Sequence, residues 1–207
     1  FPSFKTLTMQ RREFLINTTL AASAAVVGID RSVMAAPPVR PLIKKSLKYG
    51  MVEEKISVLD KFKLLKDLGF DGVELDSPND LDPKEILAAR DKTGLELPGV
   101  VNSAHWKSPL SDADPKVREV CFKAMEKSLN DCKLYGGTTV LLVPGVVNAT
   151  TSYEDAYKRS QAEIKKLLPI AEKTGIKIAL ENVWNNFLIS PVEAARFVDE
   201  INHPLLG

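Results

Sequence analysis

The candidate chemistry of this chain lies in side chains that directly follow short apolar segments. Glu181 and Asn182 come immediately after the apolar residues 178–180, and Trp184 stands two positions further on. A carboxylate at the rim of an apolar element needs a partner, and a cation is a natural one. An ion pair with a Lys or Arg of a neighbouring strand is the alternative. A carboxylate in such a place could also act as a general base.

Further polar and aromatic side chains follow other apolar segments. His105 could ligate a metal, bind a substrate hydroxyl or cap a loop beside Trp106. Glu74 faces either a site or a helix, depending on the register of its strand. Trp106 and Trp184 either form the wall of a pocket, where an aromatic face suits a sugar ring, or fill space. The candidate substrate-binding residues are His105, Glu74, Asn182, Trp184 and Trp106.

The elements that would position these side chains alternate between strand and helix five times after a Pro-rich junction at residues 37–41. The predicted strands are 46–52, 72–76, 97–104, 138–143 and 176–180. The predicted helices are 57–68, 82–90, 114–135, 153–173 and 190–201. Residues 204–207 indicate the approach to a sixth strand. Strands that are apolar on both faces, such as the one ending at Val143, are typical of a buried parallel sheet.

This alternation predicts a parallel α/β sheet, either open or closed into a (β/α)8 TIM barrel. No Gly-x-Gly-x-x-Gly turn follows a strand and no P-loop sequence occurs, so the nucleotide-binding open sheets are disfavoured. We favour the barrel, in which chemistry lies at the carboxyl ends of the strands. That edge would carry Glu74, Asp76, His105 and Glu181. His203 precedes the sixth strand, at the opposite edge, and is interpreted as structural.

The chain length sets a limit on the predicted barrel. The 207 residues hold about five of the eight β/α units, so the predicted fold class is an incomplete (β/α)8 barrel that lacks its C-terminal part. Eight units would need roughly 95 more residues. We expect such a five-unit piece by itself to be unstable and inactive, because it exposes sheet edges and apolar faces.

The amino-terminal residues 1–36 have the pattern of an export signal. Arg11 and Arg12 precede the apolar stretch 14–28, and small residues at 33–36 precede Pro37. This order predicts a twin-arginine-type signal peptide and a periplasmic location. An amphipathic helix of the domain is the alternative. About 15 apolar residues fall short of the ~20 of a membrane span, so we expect no stable membrane anchor.

Charge and cysteine content exclude several classes of function. Lys and Arg number 28 against 27 Asp and Glu, for a net charge of +1, which gives no electrostatic basis for nucleic-acid binding. Cys121 and Cys132 fall in one predicted helix about 16 Å apart, too far for a disulfide. We expect both to be buried apolar residues.

Three segments together resemble the sugar phosphate isomerase/epimerase family, the xylose isomerase-like TIM barrels. They are Lys66-Asp67-Leu68-Gly69-Phe70-Asp71-Gly72-Val73-Glu74-Leu75, the pair Gly136-Gly137 that ends the predicted helix before residues 138–144, and Ile178-Ala179-Leu180-Glu181-Asn182. The resemblance covers residues 42–207, and its Leu-Glu-Asn segment is the most informative part.

The resemblance implies one divalent metal, commonly Mn²⁺, with Zn²⁺, Mg²⁺ or Co²⁺ as alternatives. In the family it is held by Glu, Asp, His and Glu side chains from strands five to eight. Glu181 matches the first of these ligands, and the others have no counterpart among the 207 residues. In family epimerases the two metal-bound glutamates also move the proton, so Glu181 is the candidate catalytic residue as well as the metal ligand.

The predicted function is a metal-dependent sugar or sugar phosphate isomerase or epimerase that acts through an enediolate. Its expected partner is a small sugar, with an export signal favouring an unphosphorylated one, and the full-length protein could form a homo-oligomer. Two alternatives remain: an inosose dehydratase-like lyase or a hydrolase on the same barrel, and a non-catalytic exported sugar-binding protein. A DNA-repair nuclease of this fold would need a histidine cluster, and the chain has only His105 and His203.

Overall fold

Five parallel strands, each followed by a helix, make up residues 43–207, the part of the chain that the computed structural model describes. The strands are β1 (Ser46–Lys48), β2 (Gly72–Ser77), β3 (Gly99–Asn102), β4 (Thr139–Leu142) and β5 (Lys177–Leu180). The helices are α1 (Val58–Asp67), α2 (Pro83–Thr93), α3 (Pro115–Tyr135), α4 (Tyr153–Thr174) and α5 (Pro191–Ile201). The sheet order is β1-β2-β3-β4-β5 with every pair parallel, which confirms the predicted xylose isomerase-like barrel architecture.

Each helix begins and ends at residues suited to its termini. A Ser or Asp side chain accepts a hydrogen bond from a backbone N–H at the start of all five, at Ser57, Asp82, Asp114, Ser152 and Ser190. Such caps satisfy N–H groups that have no partner inside the helix. Three helices end at a glycine in the left-handed conformation, which only glycine adopts without a steric cost.

The first strand is shorter than the sequence pattern predicted. The expected strand 46–52 ends at Lys48, because the 3-10 turn Tyr49–Met51 turns the chain away from the sheet. The helical spacing of Ile56, Leu59, Phe62, Leu65 and Leu68 predicts that all five face the sheet, and this prediction is partly wrong. Ile56 and Leu68 are 43% and 63% exposed, since they lie just outside the two ends of α1, and Val58 supplies a core contact in their place.

The hydrophobic core lies between the outer face of the sheet and the helices that cover it. Alternate strand residues point outward into this core, among them Val73, Leu75, Val140 and Ile178. The other alternate positions face the inner side of the sheet, where β2 carries two acidic residues. Because side chains alternate between the two faces of a strand, the apolar residues pack in the outer core and the acidic residues lie on the inner side.

The two cysteines lie in the helix that covers the middle of the sheet. Cys121 and Cys132 are both buried and free, which confirms the expectation that they do not form a disulfide. Burial raises the pKa of the Cys121 thiol to about 12 and that of Cys132 to about 11, so both remain protonated packing residues.

Residues 205–207 pair with β5 through a single parallel bridge, in agreement with the predicted approach to a sixth strand. The Ile178 N–H donates to the Leu205 carbonyl at 2.8 Å, and the Gly207 N–H donates to the Ile178 carbonyl at 3.1 Å. Just before this segment, His203 Nε2 lies 3.1 Å from Glu172 Oε1 near the end of α4, away from the carboxyl ends of the strands.

None of the helices in residues 43–207 is both long enough and apolar enough to cross a bilayer. The predicted signal peptide at residues 1–36 lies outside the described residues and stays a prediction.

Candidate functional site at the carboxyl ends of the strands

A cavity of 310 Å³ opens where the strands end, on the inner side of the sheet. Polar, aromatic and aliphatic side chains from all five β/α units line it. In register, Val101 of β3 lies beside Leu141 of β4 and forms the apolar floor between the charged groups. The lining residues are Lys48, Glu74, Val101, His105, Trp106, Leu141, Val143, Glu181, Val183 and Trp184.

The register of β2 decides the direction of Glu74, which the sequence left open. Val73 and Leu75 are 0% and 1% exposed and point into the outer core, so Glu74 and Asp76 point to the inner side. Glu74 is half-buried and lines the cavity. Among residues 43–207 its carboxylate has no hydrogen-bond or ion-pair partner.

Lys48 is a cavity residue that the sequence analysis missed. Its Nζ lies 2.8 Å from Asp76 Oδ1, and the two side chains are 40% and 32% exposed. Lys48 is the last residue of β1 and lies beside Glu74 in the register of the sheet. The rule that chemistry lies at strand ends would have found it, had the first strand not been extended to residue 52.

His105 is held at the cavity wall in one tautomer. The Val143 backbone N–H donates to Nδ1 of the His105 ring at 3.4 Å, so in the neutral ring the proton is on Nε2. Burial, and to a smaller extent the positive charge of Lys48, lower the pKa of His105 to about 4, while the negative charge of Asp76 opposes the shift. At neutral pH, His105 therefore offers a neutral N–H donor.

We expect His105 to make the folded state sensitive to acid. Between about pH 6.5 and about pH 4 the unfolded chain binds a proton on this ring and the folded chain does not. The free energy of unfolding should therefore be unaffected by His105 above pH 6.5 and fall by up to about 3 kcal/mol as the pH drops to 4. Urea unfolding at pH 7.5, 5.5 and 4.5 measures it.

His105→Gln is the control for this prediction, because its side chain does not titrate. As the pH falls from 7.5 to 4.5, the unfolding free energy of the wild type should decrease relative to that of the variant. A difference that stays constant over this range would contradict the depressed pKa.

Glu181 follows β5 at the mouth of the cavity. Its backbone N–H donates to the Leu142 carbonyl at 3.0 Å, which continues the ladder between β4 and β5. The side chain is exposed, so the expectation of a carboxylate held at a cost on an apolar rim is wrong. The alternative of a salt bridge does not hold within residues 43–207 either, since Glu181 has no ion-pair partner there.

The loop after Glu181 is held by Asn185, which is 0% exposed. Asn185 Nδ2 donates to the Gly145 carbonyl at 2.9 Å, and its Oδ1 accepts from the Val183 N–H at 3.1 Å. A Cβ on Gly145 would lie 2.6 Å from Ser160 Oγ of α4, so only glycine fits where this loop packs against the helix. The loops after β4 and β5 are thus fixed to each other.

The two tryptophans stand at the mouth of the cavity. Trp184 is 93% exposed and Trp106 is 47% exposed, with the His105 ring edge-on to Trp106 at 5.6 Å between centroids. A side chain as exposed as Trp184 does not fill the barrel rim. Asn182, by contrast, is exposed and is not among the cavity-lining residues, so the structure does not bring it to the other candidates.

The carboxylate and imidazole groups of the cavity can be compared with the ligands of the metal that the resemblance implies. Glu74 and Glu181 are free carboxylates of the kind that Mn²⁺ and Mg²⁺ accept. His105 uses Nδ1 to accept from Val143, and Asp76 is paired with Lys48. No group of three or more His, Cys, Asp or Glu side chains in residues 43–207 is placed to hold a metal ion. The described residues alone do not make a metal centre.

Comparison with known proteins places the chain in a family. Residues 62–207 match the xylose isomerase-like TIM barrel family, and the chain belongs to it. The L-ribulose-5-phosphate 3-epimerase of Salmonella paratyphi B is 22% identical over 179 residues, 79% of this chain and 63% of that protein.

Solved structures of sugar epimerases share this fold. A D-psicose 3-epimerase determined with D-fructose has a TM-score of 0.67 and 20% identity, covering 79% of this chain and 62% of the other. A 3-keto-D-glucoside 4-epimerase from E. coli has a TM-score of 0.65 and 20% identity, covering 79% and 66%. This chain spans less than two thirds of the length of each of these relatives.

Proposed function

We propose that this protein is a sugar isomerase or epimerase that moves a proton next to a carbonyl group. One observation carries the proposal: two carboxylates with no ion-pair partner in residues 43–207, Glu74 and Glu181, face a single cavity at the carboxyl ends of the strands. In barrels of this type that edge holds the active site. The relatives with this fold include epimerases of ribulose phosphate and of psicose, which agrees with the proposal.

In the proposed reaction Glu181 is the acid/base. Its carboxylate removes the proton from the carbon beside the carbonyl, the C–H electron pair becomes the C=C bond of an enediolate, and the carbonyl π pair moves to oxygen. When Glu181 returns the proton to the neighbouring carbon and the hydroxyl proton passes between the two oxygens, the carbonyl moves and Glu181 ends ionised. Inversion instead needs a second acid that delivers a proton to the opposite face of the carbon, after which Glu181 loses its own proton to solvent.

The remaining cavity residues orient the sugar in this proposal. The neutral His105 ring donates its Nε2 proton to a substrate oxygen, because Val143 fixes its tautomer. Glu74 accepts from a sugar hydroxyl. Trp106 and Trp184 cover the apolar face of the ring, as aromatic side chains do in sugar sites.

We also propose that Glu181 contributes one carboxylate ligand to a divalent cation, with Mn²⁺ as the first candidate. A bound cation would supply positive charge near the reacting oxygen.

Proton exchange with solvent tests the proposed function. The protein is incubated in D₂O with D-fructose, D-psicose, L-ribulose and a keto-inositol, with and without Mn²⁺, and the C–H signals are followed by NMR. Deuterium entering a carbon next to the carbonyl, together with a new epimer or isomer, supports the proposal. Loss of water from the keto-inositol would instead indicate the lyase, and sugar binding without any exchange would indicate a sugar-binding protein.

A further inference from the structure

The cavity contains one cationic side chain among its lining residues, and the chemistry described so far leaves it without a role. Lys48 ends β1, and its ammonium group faces the same cavity as Glu74 and Glu181. The ammonium group has three N–H donors. Within residues 43–207 its only ion-pair partner is Asp76, at 2.8 Å.

An ion pair of this kind adds little to stability. The Lys48 and Asp76 side chains are 40% and 32% exposed, and pairs so open to water typically contribute between about 0 and 1 kcal/mol. The small stabilisation from this ion pair therefore does not explain why a lysine stands at the end of β1.

Lys48 and His105, the other donor, line the same cavity. The positive charge of Lys48 also contributes to the lowered pKa of His105. The Lys48 ammonium and the His105 Nε2–H are thus two hydrogen-bond donors at one cavity that also holds the proposed base. Removal of a proton beside a carbonyl places negative charge on the carbonyl oxygen, and such donors stabilise that charge best when they are already in position.

We propose that the Lys48 ammonium group binds the carbonyl oxygen of the substrate and stabilises the negative charge of the enediolate. This inference rests on the proposed function. The proton moves from carbon to the Glu181 carboxylate, and the charge that appears on the carbonyl oxygen is opposed by Lys48, which keeps its own protons throughout.

Binding of oxalate, a planar dianion that mimics an enediolate, tests Lys48 without requiring turnover. Oxalate is titrated in the presence of EDTA, so that no cation holds it, and the fluorescence of Trp106 and Trp184 reports binding. Lys48→Met should weaken binding at least tenfold, while Lys48→Arg, which keeps the charge, should retain most of it. Lys107→Met, the same change at an exposed lysine that does not line this cavity, should leave binding unchanged.

Asp76→Asn separates this role from a purely structural ion pair. If Lys48 binds the oxyanion, Asp76→Asn keeps or strengthens oxalate binding, because the cation remains and a competing anion is removed. If the pair is only structural, Lys48→Met and Asp76→Asn lower the unfolding midpoint alike and both leave oxalate affinity unchanged. That second pattern, or a wild type that does not bind oxalate, overturns the proposal.

Proton exchange on D-fructose in D₂O provides the second measurement. Lys48→Met should lower the exchange rate by about 10²–10³-fold, the usual effect of removing one oxyanion donor. Exchange at the wild-type rate in Lys48→Met would overturn this inference and leave the proposed function standing. If oxalate binding depends on Lys48 but the protein exchanges no proton on any sugar, the proposed isomerase or epimerase function is overturned and the anion site at Lys48 stands.

Discussion

In the full-length protein, Glu181→Gln is expected to abolish sugar turnover and to leave the fold intact. The amide has nearly the same shape as the carboxylate but cannot accept the substrate proton, and general bases typically contribute 10²–10⁴-fold to rate. We expect the rate of solvent proton exchange on the accepted sugar to fall by at least about 10³-fold. Because the Glu181 side chain is exposed and makes no ion pair within residues 43–207, the unfolding midpoint should not change.

Glu126→Gln is the matched control for this experiment. Glu126 is an exposed residue of α3 that does not line the cavity, so the same chemical change there should leave the exchange rate unaltered. Metal analysis of the Glu181→Gln protein gives a second measurement, since loss of a ligand lowers the bound Mn²⁺. Full turnover with stoichiometric metal in Glu181→Gln would exclude Glu181 from both roles.

Asn185→Ala is expected to give the largest loss of stability among the site variants. The change leaves the Gly145 carbonyl and the Val183 N–H without their side-chain partner in a region where Asn185 is 0% exposed. Leaving a buried polar group unpaired costs about 1–3 kcal/mol, so the unfolding free energy should fall by about 2–4 kcal/mol. Urea unfolding measures the loss.

The same variant should also loosen the mouth of the cavity. Asn185 fixes the loop that carries Trp184, and its backbone carbonyl accepts from the Val147 N–H at 2.9 Å. We expect the KM for the accepted sugar to rise more than kcat falls, because Trp184 loses its position while Glu181 stays on the β5 ladder. Asn182→Ala, at an exposed residue of the same loop, should change stability by less than about 0.5 kcal/mol. Equal losses in the two variants would contradict the role of Asn185.

Several features of the site followed from the sequence because they depend on local patterns. The apolar residues 178–180 placed Glu181 at the end of a strand, and the strand-end rule brought Glu74, His105 and Glu181 to one edge of the sheet. The structure places these three around one cavity. The two tryptophans were also brought there, and Asn182 was not.

The missed residues show where local patterns fail. Lys48 was overlooked because residues 46–52 look like one strand, although the 3-10 turn Tyr49–Met51 ends β1 at Lys48. Asn185 carries no local signal of its role. Its partner Val183 is only two residues away, but Gly145 comes from the loop after β4, and the register between β4 and β5 brings it within hydrogen-bond distance.

The sequence alone determined the order of strands and helices, the parallel barrel class and the residue types at the strand ends, because hydrophobic period and capping are local properties. The tertiary structure decided the direction of Glu74, the tautomer of His105, the pairing of Lys48 with Asp76 and the exposure of Glu181. Each of these depends on which atoms of distant segments meet in space, and such contacts follow from strand register and loop packing, which the local pattern does not specify.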